Sequence, residues 1–255
     1  MSSPTKAALL LGTIISSAFS CAQPAFAQAS ASPYTSATRY DAMRRVGGTI
    51  APDPDGAGPL RHAATRNTYD GAGRLTKVEK GELATWQSET VAPKDWPMAP
   101  GNPNGFTVLQ TLDTAYDAMD RKVKETLSGV ASSGGAASVQ TVTQYSYDAV
   151  GRLQCTAVRM NPGHFANLTA DACVQQVGTG TIPDRIVKNV HDAAGQLVQI
   201  REGVGTAIEA AEATFAYSAN GKREHIIDAN GNRARLIYDG HDRQTHWYFP
   251  PADRL

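Results

Sequence analysis

Short runs in which polar and apolar residues alternate recur along this chain, each interrupted by a turn of similar spelling. Residues 141–147 (TVTQYSY) and 152–160 (RLQCTAVRM) alternate and are rich in Val, Thr and Tyr, as half-buried strands are. Residues 185–192 (RIVKNVHD) and 196–203 (QLVQIREG) repeat the arrangement, and 225–239 (HIIDANGNRARLIYD) does so once more. The interruptions begin with Asp and carry Gly three places on. An Asp side chain there accepts from a backbone N–H two residues further along, and Asp at i with Gly at i+3 suits a type I turn. A glycine with φ > 0 just after that turn completes a bulged hairpin connection. The predicted unit is a β-hairpin. One hairpin alone is marginal in water, so neighbouring copies must stack to bury their Tyr and Leu faces.

Two copies of the turn phrase are nearly identical: Tyr69-Asp70-Gly71-Ala72-Gly73-Arg74-Leu75 and Tyr147-Asp148-Ala149-Val150-Gly151-Arg152-Leu153. Looser copies are Tyr116-Asp117-Ala118-Met119-Asp120-Arg121, His191-Asp192-Ala193-Ala194-Gly195-Gln196-Leu197 and Tyr238-Asp239-Gly240-His241-Asp242-Arg243. Tyr217-Ser218-Ala219-Asn220-Gly221-Lys222 and Ile227-Asp228-Ala229-Asn230-Gly231-Asn232 belong to the same series, and Tyr40-Asp41-Ala42-Met43-Arg44-Arg45 is its most degraded member. The last three copies lie about ten residues apart and the earlier ones roughly 26 to 47, as if copies had decayed or loops had been inserted. Tyr69, Tyr116, Tyr147, Tyr217 and Tyr238 are the expected sheet anchors, and Gly73, Gly151, Gly195, Gly221 and Gly231 the turn hinges. Asp120 and Asp242 in the glycine place tolerate the left-handed region; Arg44 there implies strain or a different turn.

Tandem Tyr-Asp-x-x-Gly-Arg-Leu resembles the YD repeat of the RHS (rearrangement hotspot) proteins, a family that includes toxin-complex C subunits and teneurins. The resemblance covers about Tyr40 to Arg243. It implies an all-β fold, a twisted antiparallel sheet of hairpins spiralling into part of a hollow shell, which in bacterial members often encloses a C-terminal toxin. Full shells need more repeats than are visible here. The family's core segment, where autoproteolysis occurs, and a toxin domain have no counterpart. The expectation is an N-terminal or truncated portion of such a protein, with the downstream remainder or its toxin cargo as partner.

The N-terminus changes the picture. Lys6 precedes an apolar run from Ala7 to about Phe19, and Ala25-Phe26-Ala27 supplies small residues at a cleavage site, the order of a secretory signal peptide. The run is too short for a comfortable membrane span. A lipoprotein reading through Cys21 is weaker, because Ala18-Phe19-Ser20 lacks the usual large aliphatic residue. Residues 1–27 are therefore read as signal peptide, 28–39 as flexible leader and 40–255 as the repeat array. Loop insertions are placed near 91–105, with its four prolines, and 128–138. The expected location is periplasmic, cell-surface or secreted, with no membrane span once the signal is removed. An exported chain keeping Cys155 and Cys173 invites a disulfide between them; two buried thiols are the alternative.

Charge and motif content argue for little else. The 24 basic and 24 acidic residues balance, and no basic patch offers a footprint for nucleic acid. The 23 glycines and 14 prolines suit a turn-rich chain. The six histidines form no HExxH, and His241 and His246 have no evident third ligand, so no metal site is expected. Asp228, Asn230 and Asn232 faintly echo a calcium loop, but Arg233 occupies the place of its glycine. No nucleophile elbow, Walker loop or dinucleotide fingerprint opens a helix, so no cofactor and no enzyme are predicted. Two readings stand: a non-catalytic exported scaffold that helps encase or present a toxin or effector, and a surface module that binds carbohydrate or a receptor. The second would use Trp86 and Trp96, whose commoner role is packing.

Overall fold

The computed structural model describes residues 34–249, except 57, 100, 101, 103, 104, 131–135 and 177–181. The predicted signal peptide, Cys21 and residues 28–33 of the predicted leader lie outside the described residues, as do parts of both predicted loop insertions.

Fourteen strands form one antiparallel sheet and stand in it in sequence order. They are β1 (Ala37–Tyr40), β2 (Val46–Ile50), β3 (His62–Tyr69), β4 (Leu75–Leu83), β5 (Phe106–Tyr116), β6 (Lys122–Gly129) and β7 (Ser138–Tyr147). They continue with β8 (Leu153–Arg159), β9 (Arg185–His191), β10 (Leu197–Glu202), β11 (Ala210–Tyr217), β12 (Arg223–Asp228), β13 (Arg233–Tyr238) and β14 (Gln244–Tyr248). The sheet is open, with β1 and β14 as its two edges among the described residues. β1 opens at Ala37, so the last residues of the predicted leader belong to the array.

In such a meander every odd-to-even connection falls at one end of the strands and every even-to-odd connection at the other. The two ends differ. Seven connections, 41–45, 70–74, 117–121, 148–152, 192–196, 218–222 and 239–243, are all five residues long and share one rim. Those on the opposite rim run from 4 residues (229–232) to 25 (160–184). The uneven spacing of the phrase thus comes from loops inserted on one rim, not from decayed copies. The Asp228 copy corrects the simple series: it joins β12 to β13 and lies on the loop rim, opposite the other seven.

The inserted loops supply the core. Ile50 pairs with Ala64, Ala64 with Gly81, and Leu83 with Phe106, which places these side chains on one face of the sheet. Residues 84–99 fold over that face and close it with Trp96, which meets Phe106 edge to face at 5.6 Å. Pro93 of the same loop lies against Gly48, where a Cβ would come within 2.9 Å of its ring. Following the register through Glu79, Thr111 and Ser128 and then Thr126, Val142 and Arg159 leads to the same face further along. There residues 160–176 cover Cys155, Ala157 and Ile186 with Ala172 and Cys173. Cys155 and Cys173 are joined by a disulfide, Cα to Cα 5.3 Å, closing a loop of 18 residues. On the chain-entropy account such a closure contributes about 3 kcal/mol.

Beneath that loop Arg159 and Asp184 form an ion pair with both side chains only 1% exposed. The guanidinium donates to Asp184 Oδ2 (2.8 Å), Gln144 Oε1 (2.7 Å) and the Val174 carbonyl (2.7 Å), with longer bonds to Thr169 Oγ1 and the Asp171 carbonyl. The Asp184 carboxylate also accepts from the backbone N–H groups of Met160 and Gln176. A charge pair so deeply desolvated persists only because its hydrogen-bonding capacity is this well filled.

Candidate functional site

The regular rim is where the repeated residues converge. In each full copy one Asp oxygen organises the turn and the other holds the Arg. Asp70 Oδ1 accepts from the N–H groups of Ala72 (3.0 Å) and Arg74 (2.9 Å), while Asp70 Oδ2 accepts from Arg74 Nε and Nη2 at 2.7 Å each. Asp41, Asp117 and Asp239 repeat this set with Arg45, Arg121 and Arg243. Asp148 does the same with Arg152. The backbone closes alongside: Gly73 N–H donates to the Asp70 carbonyl and Asp70 N–H to the Arg74 carbonyl, both at 3.0 Å. The fourth turn position has φ +86 at Gly73, +89 at Gly151, +84 at Gly195 and +79 at Gly221.

The Tyr works between hairpins. Tyr69 Oη donates to the Val46 carbonyl (2.9 Å), Tyr116 to Leu75 (3.0 Å) and Tyr147 to Lys122 (2.8 Å). Tyr217 reaches Leu197 (2.8 Å) and Tyr238 reaches Arg223 (2.9 Å). Each acceptor is the first residue of the even strand in the preceding hairpin, immediately after the fifth turn residue, which is Arg or Lys in all of these but the Gln196 turn. That basic side chain lies over the next tyrosine ring: Arg45 over Tyr69 at 4.3 Å, Arg74 over Tyr116 at 4.9 Å, Arg121 over Tyr147 at 4.4 Å. Such stacking adds about 0.5–1 kcal/mol at partly exposed sites. The same guanidinium lies against the next turn as well. A Cβ on Gly73 would stand 3.3 Å from Arg45 Nη1, and one on Gly151 3.4 Å from Arg121 Nη1. Glycine there therefore serves both the left-handed backbone and the close approach of the neighbour's Arg.

Departures from the phrase are matched by neighbours. Asp120 and Asp242 occupy the glycine place with φ +62 each. Asp120 receives Arg74 at 2.5 Å and Asp242 receives Lys222 at 3.3 Å, both from the preceding hairpin. Where His191 replaces Tyr, Asn189 Nδ2 donates to the Leu153 carbonyl (3.2 Å) that a tyrosine would have taken. Asn67 holds the equivalent place beside Tyr69 and shares its Val46 acceptor. Ser218 replaces Asp and still accepts from Lys222 N–H through its hydroxyl. The Asp192 side chain accepts from the N–H of Gln196, and no arginine follows it in its own turn. Arg44, with φ +62, has no preceding hairpin to meet it among the described residues. Asp228 and Gly231, on the opposite rim, build the same turn closed by Asn232 instead of Arg. The cross-hairpin tasks of Arg45, Arg121, Asn67 and Asn189 were not foreseen. The one sequence signal for the asparagines is their place two residues before the Tyr or His.

Two expected outcomes follow from this rim. Gly151→Val places a β-branched residue at φ +89 and is expected to cost about 1–3 kcal/mol, with a lowered thermal midpoint. An unchanged midpoint would refute the turn's role. The second concerns acid. Backbone N–H donation from Arg45, Arg74, Arg121 and Arg243 leads the causes that hold Asp41, Asp70, Asp117 and Asp239 below the ordinary carboxylate value. A carboxylate lowered in the folded state contributes stability above its unfolded pKa of about 4, and that contribution is lost as pH falls through the folded value. Thermal midpoints should be level near neutrality and fall below about pH 4; midpoints unchanged down to pH 3 would contradict this.

The tryptophans divide. Trp96 is 2% exposed, and its ring is buried in the cluster with Ile50, Ala64, Leu83 and Phe106. Trp86 is half-buried between His62, at 5.6 Å, and Arg39, at 5.8 Å. Trp247 stands exposed on β14, stacked with Phe249. Among the described residues no three His, Cys, Asp or Glu side chains are grouped to hold a metal ion.

No protein-family model and no curated protein matches the chain. Among solved structures it is similar to a chain of TcdB2-TccC3-Cdc42, at 15% identity and TM-score 0.42 over 84% of this chain and 10% of that one. A chain of TcdB2-TccC3-TEV matches at 15% identity and TM-score 0.43, over 86% and 10%. A chain of TcdB2-TccC3 without its hypervariable C-terminal region matches at 15% and TM-score 0.27, over 85% and 14%. The chain thus spans about a tenth of the length of the solved chains it matches first. The fold itself is an all-β tandem of Tyr-Asp hairpins, locked to one another along a single rim.

Proposed function

We propose that this chain is a non-catalytic scaffold module, a section of an RHS-type β-shell that encases or presents a toxin or effector. The carrying observation is the rim of seven equal turns, in which the Asp, Arg and Tyr groups of the phrase bond within and between hairpins. Carboxylates and guanidinia engaged in this way hold a wall together and leave little for general acid or base work. The resemblance of the tandem phrase supplies the kind of wall. The Cys155–Cys173 bridge supports export to an oxidising compartment, where such a bond persists. Trp96 packs among Ile50, Leu83 and Phe106, and Trp86 is half-buried with His62 at 5.6 Å and Arg39 at 5.8 Å, which favours packing over carbohydrate binding for these two rings.

The test is to isolate the protein from the extracytoplasmic fraction of its native host. The scaffold reading predicts an assembly heavier than the 27.1 kDa chain, holding a second component that resists protease until the assembly is unfolded. A lone species of the chain's own mass, with no protected component, would overturn it.

A further inference from the structure

We propose that Arg39 and the cleft beside it bind a small monocarboxylic acid, for which Glu89 is a weak internal stand-in. The site lies apart from the bonds of the regular rim and does not depend on the scaffold reading.

Three arginine side chains stand on the same face of the sheet with little exposure, and two of them are neutralised in place. Arg159 meets Asp184 at 2.8 Å with both side chains 1% exposed, and Arg66 meets Glu79 at 2.7 Å with both 13% exposed. Arg39 is enclosed to a similar degree, at 11%, yet its carboxylate, Glu89, stands 3.5 Å away and is 68% exposed. Among the described residues its guanidinium otherwise donates to the Gln87 carbonyl at 3.2 Å, and its Nε is buried without a protein partner. A guanidinium carries five N–H donors, and an enclosed charge so sparsely bonded is costly. The charge does not belong to an open strand edge. Arg39 pairs with Gly48, and Gly48 lies beneath Pro93, so the side chain stands on the covered face, where a strand added beside β1 would leave it.

A cleft of about 330 Å³ opens at this point, lined by residues 38–40 and 89–93. The Nε and one Nη of an arginine form a fork that matches the two oxygens of a carboxylate. A carboxylate seated there would satisfy the buried Nε and replace the long contact, while Glu89, already exposed, turns to solvent. The charges lining the cleft set the class of ligand. One cation, Arg39, and one carboxylate, Glu89, favour a single negative charge over a phosphate dianion. Thr38 and Thr90 on one hand, Val91 and Pro93 on the other, suit a short acid with a partly apolar body.

The test follows the Arg39 Nε–H resonance of the 15N-labelled chain, assigned as the peak missing from Arg39→Lys, through a titration with sodium acetate at constant ionic strength. Acetate should give a saturable shift with a Kd of about 1–100 mM, as befits so small a ligand, whereas sodium chloride gives none and sodium phosphate a weaker one. Glu89→Gln removes the competing carboxylate and should tighten acetate binding about 5-fold, the strength of an exposed ion pair. A Glu89 that merely completes a structural pair would give no such gain. An acetate shift that fails to saturate across that range, phosphate binding more tightly than acetate, or an unchanged acetate affinity in Glu89→Gln would overturn the proposal. None of these results bears on the mass and cargo test of the scaffold reading.

Discussion

Asp184→Ala is expected to destabilise the protein by about 3–5 kcal/mol, because it leaves the Arg159 guanidinium charged, enclosed and without its counterion. The loss would be felt beyond the pair. Arg159 also holds the carbonyls of Val174 and Asp171, and Asp184 holds the N–H groups of Gln176 and Met160, so both ends of the 160–184 connection depend on it. Urea unfolding followed by circular dichroism gives the number. Replacing both partners, Arg159→Met with Asp184→Leu, should recover part of the loss, since no charge is then stranded. A single substitution costing less than 1 kcal/mol would show that the pair is not enclosed as described.

Trp96→Ala carries the second large effect, again about 3–5 kcal/mol. Its ring packs on Phe106 and closes the cluster of Ile50, Ala64 and Leu83, so truncation opens a cavity that the short strands around it cannot collapse to fill. The indole Nε1 is buried without a partner, so the loss lies in packing. Trp96→Phe should therefore be far milder than Trp96→Ala. If Trp96→Ala left unfolding unchanged while abolishing binding to a glycan, packing would be the wrong role for it.

What the sequence disclosed, and what it withheld, follows from the range of each interaction. The Asp-x-x-Gly turns are local: Asp70 and Gly73 bond within four residues, and their spelling is enough to place hairpins and the left-handed positions. The Cys155–Cys173 pair was legible because reading residues 1–27 as a signal peptide sets Cys21 aside and leaves these two of the three cysteines. The alternation of rims was not visible, because the Asp228 turn is spelled like its neighbours and only the order of strands sends it to the other end. The tyrosine acceptors lie 15–41 residues upstream, across loops of unequal length, so no fixed spacing reveals them. Asn189 stands in for a missing tyrosine through a bond spanning 36 residues, which only the register of β8 with β9 creates. Arg159 and Asp184, 25 residues apart, read in sequence as ordinary surface charges. Their burial depends on a loop whose path the alternating pattern does not encode.

The central claim is that the repeated phrase is a lock between consecutive hairpins. The direct measurement compares Tyr147→Phe with Tyr40→Phe by urea unfolding. Tyr147 donates to the Lys122 carbonyl of the preceding hairpin, whereas Tyr40 stands exposed on the edge strand with no hairpin before it among the described residues. Removing the inner hydroxyl should cost about 0.5–1.5 kcal/mol, and removing the outer one nothing measurable. Equal effects at the two positions, or none at Tyr147, would contradict the lock.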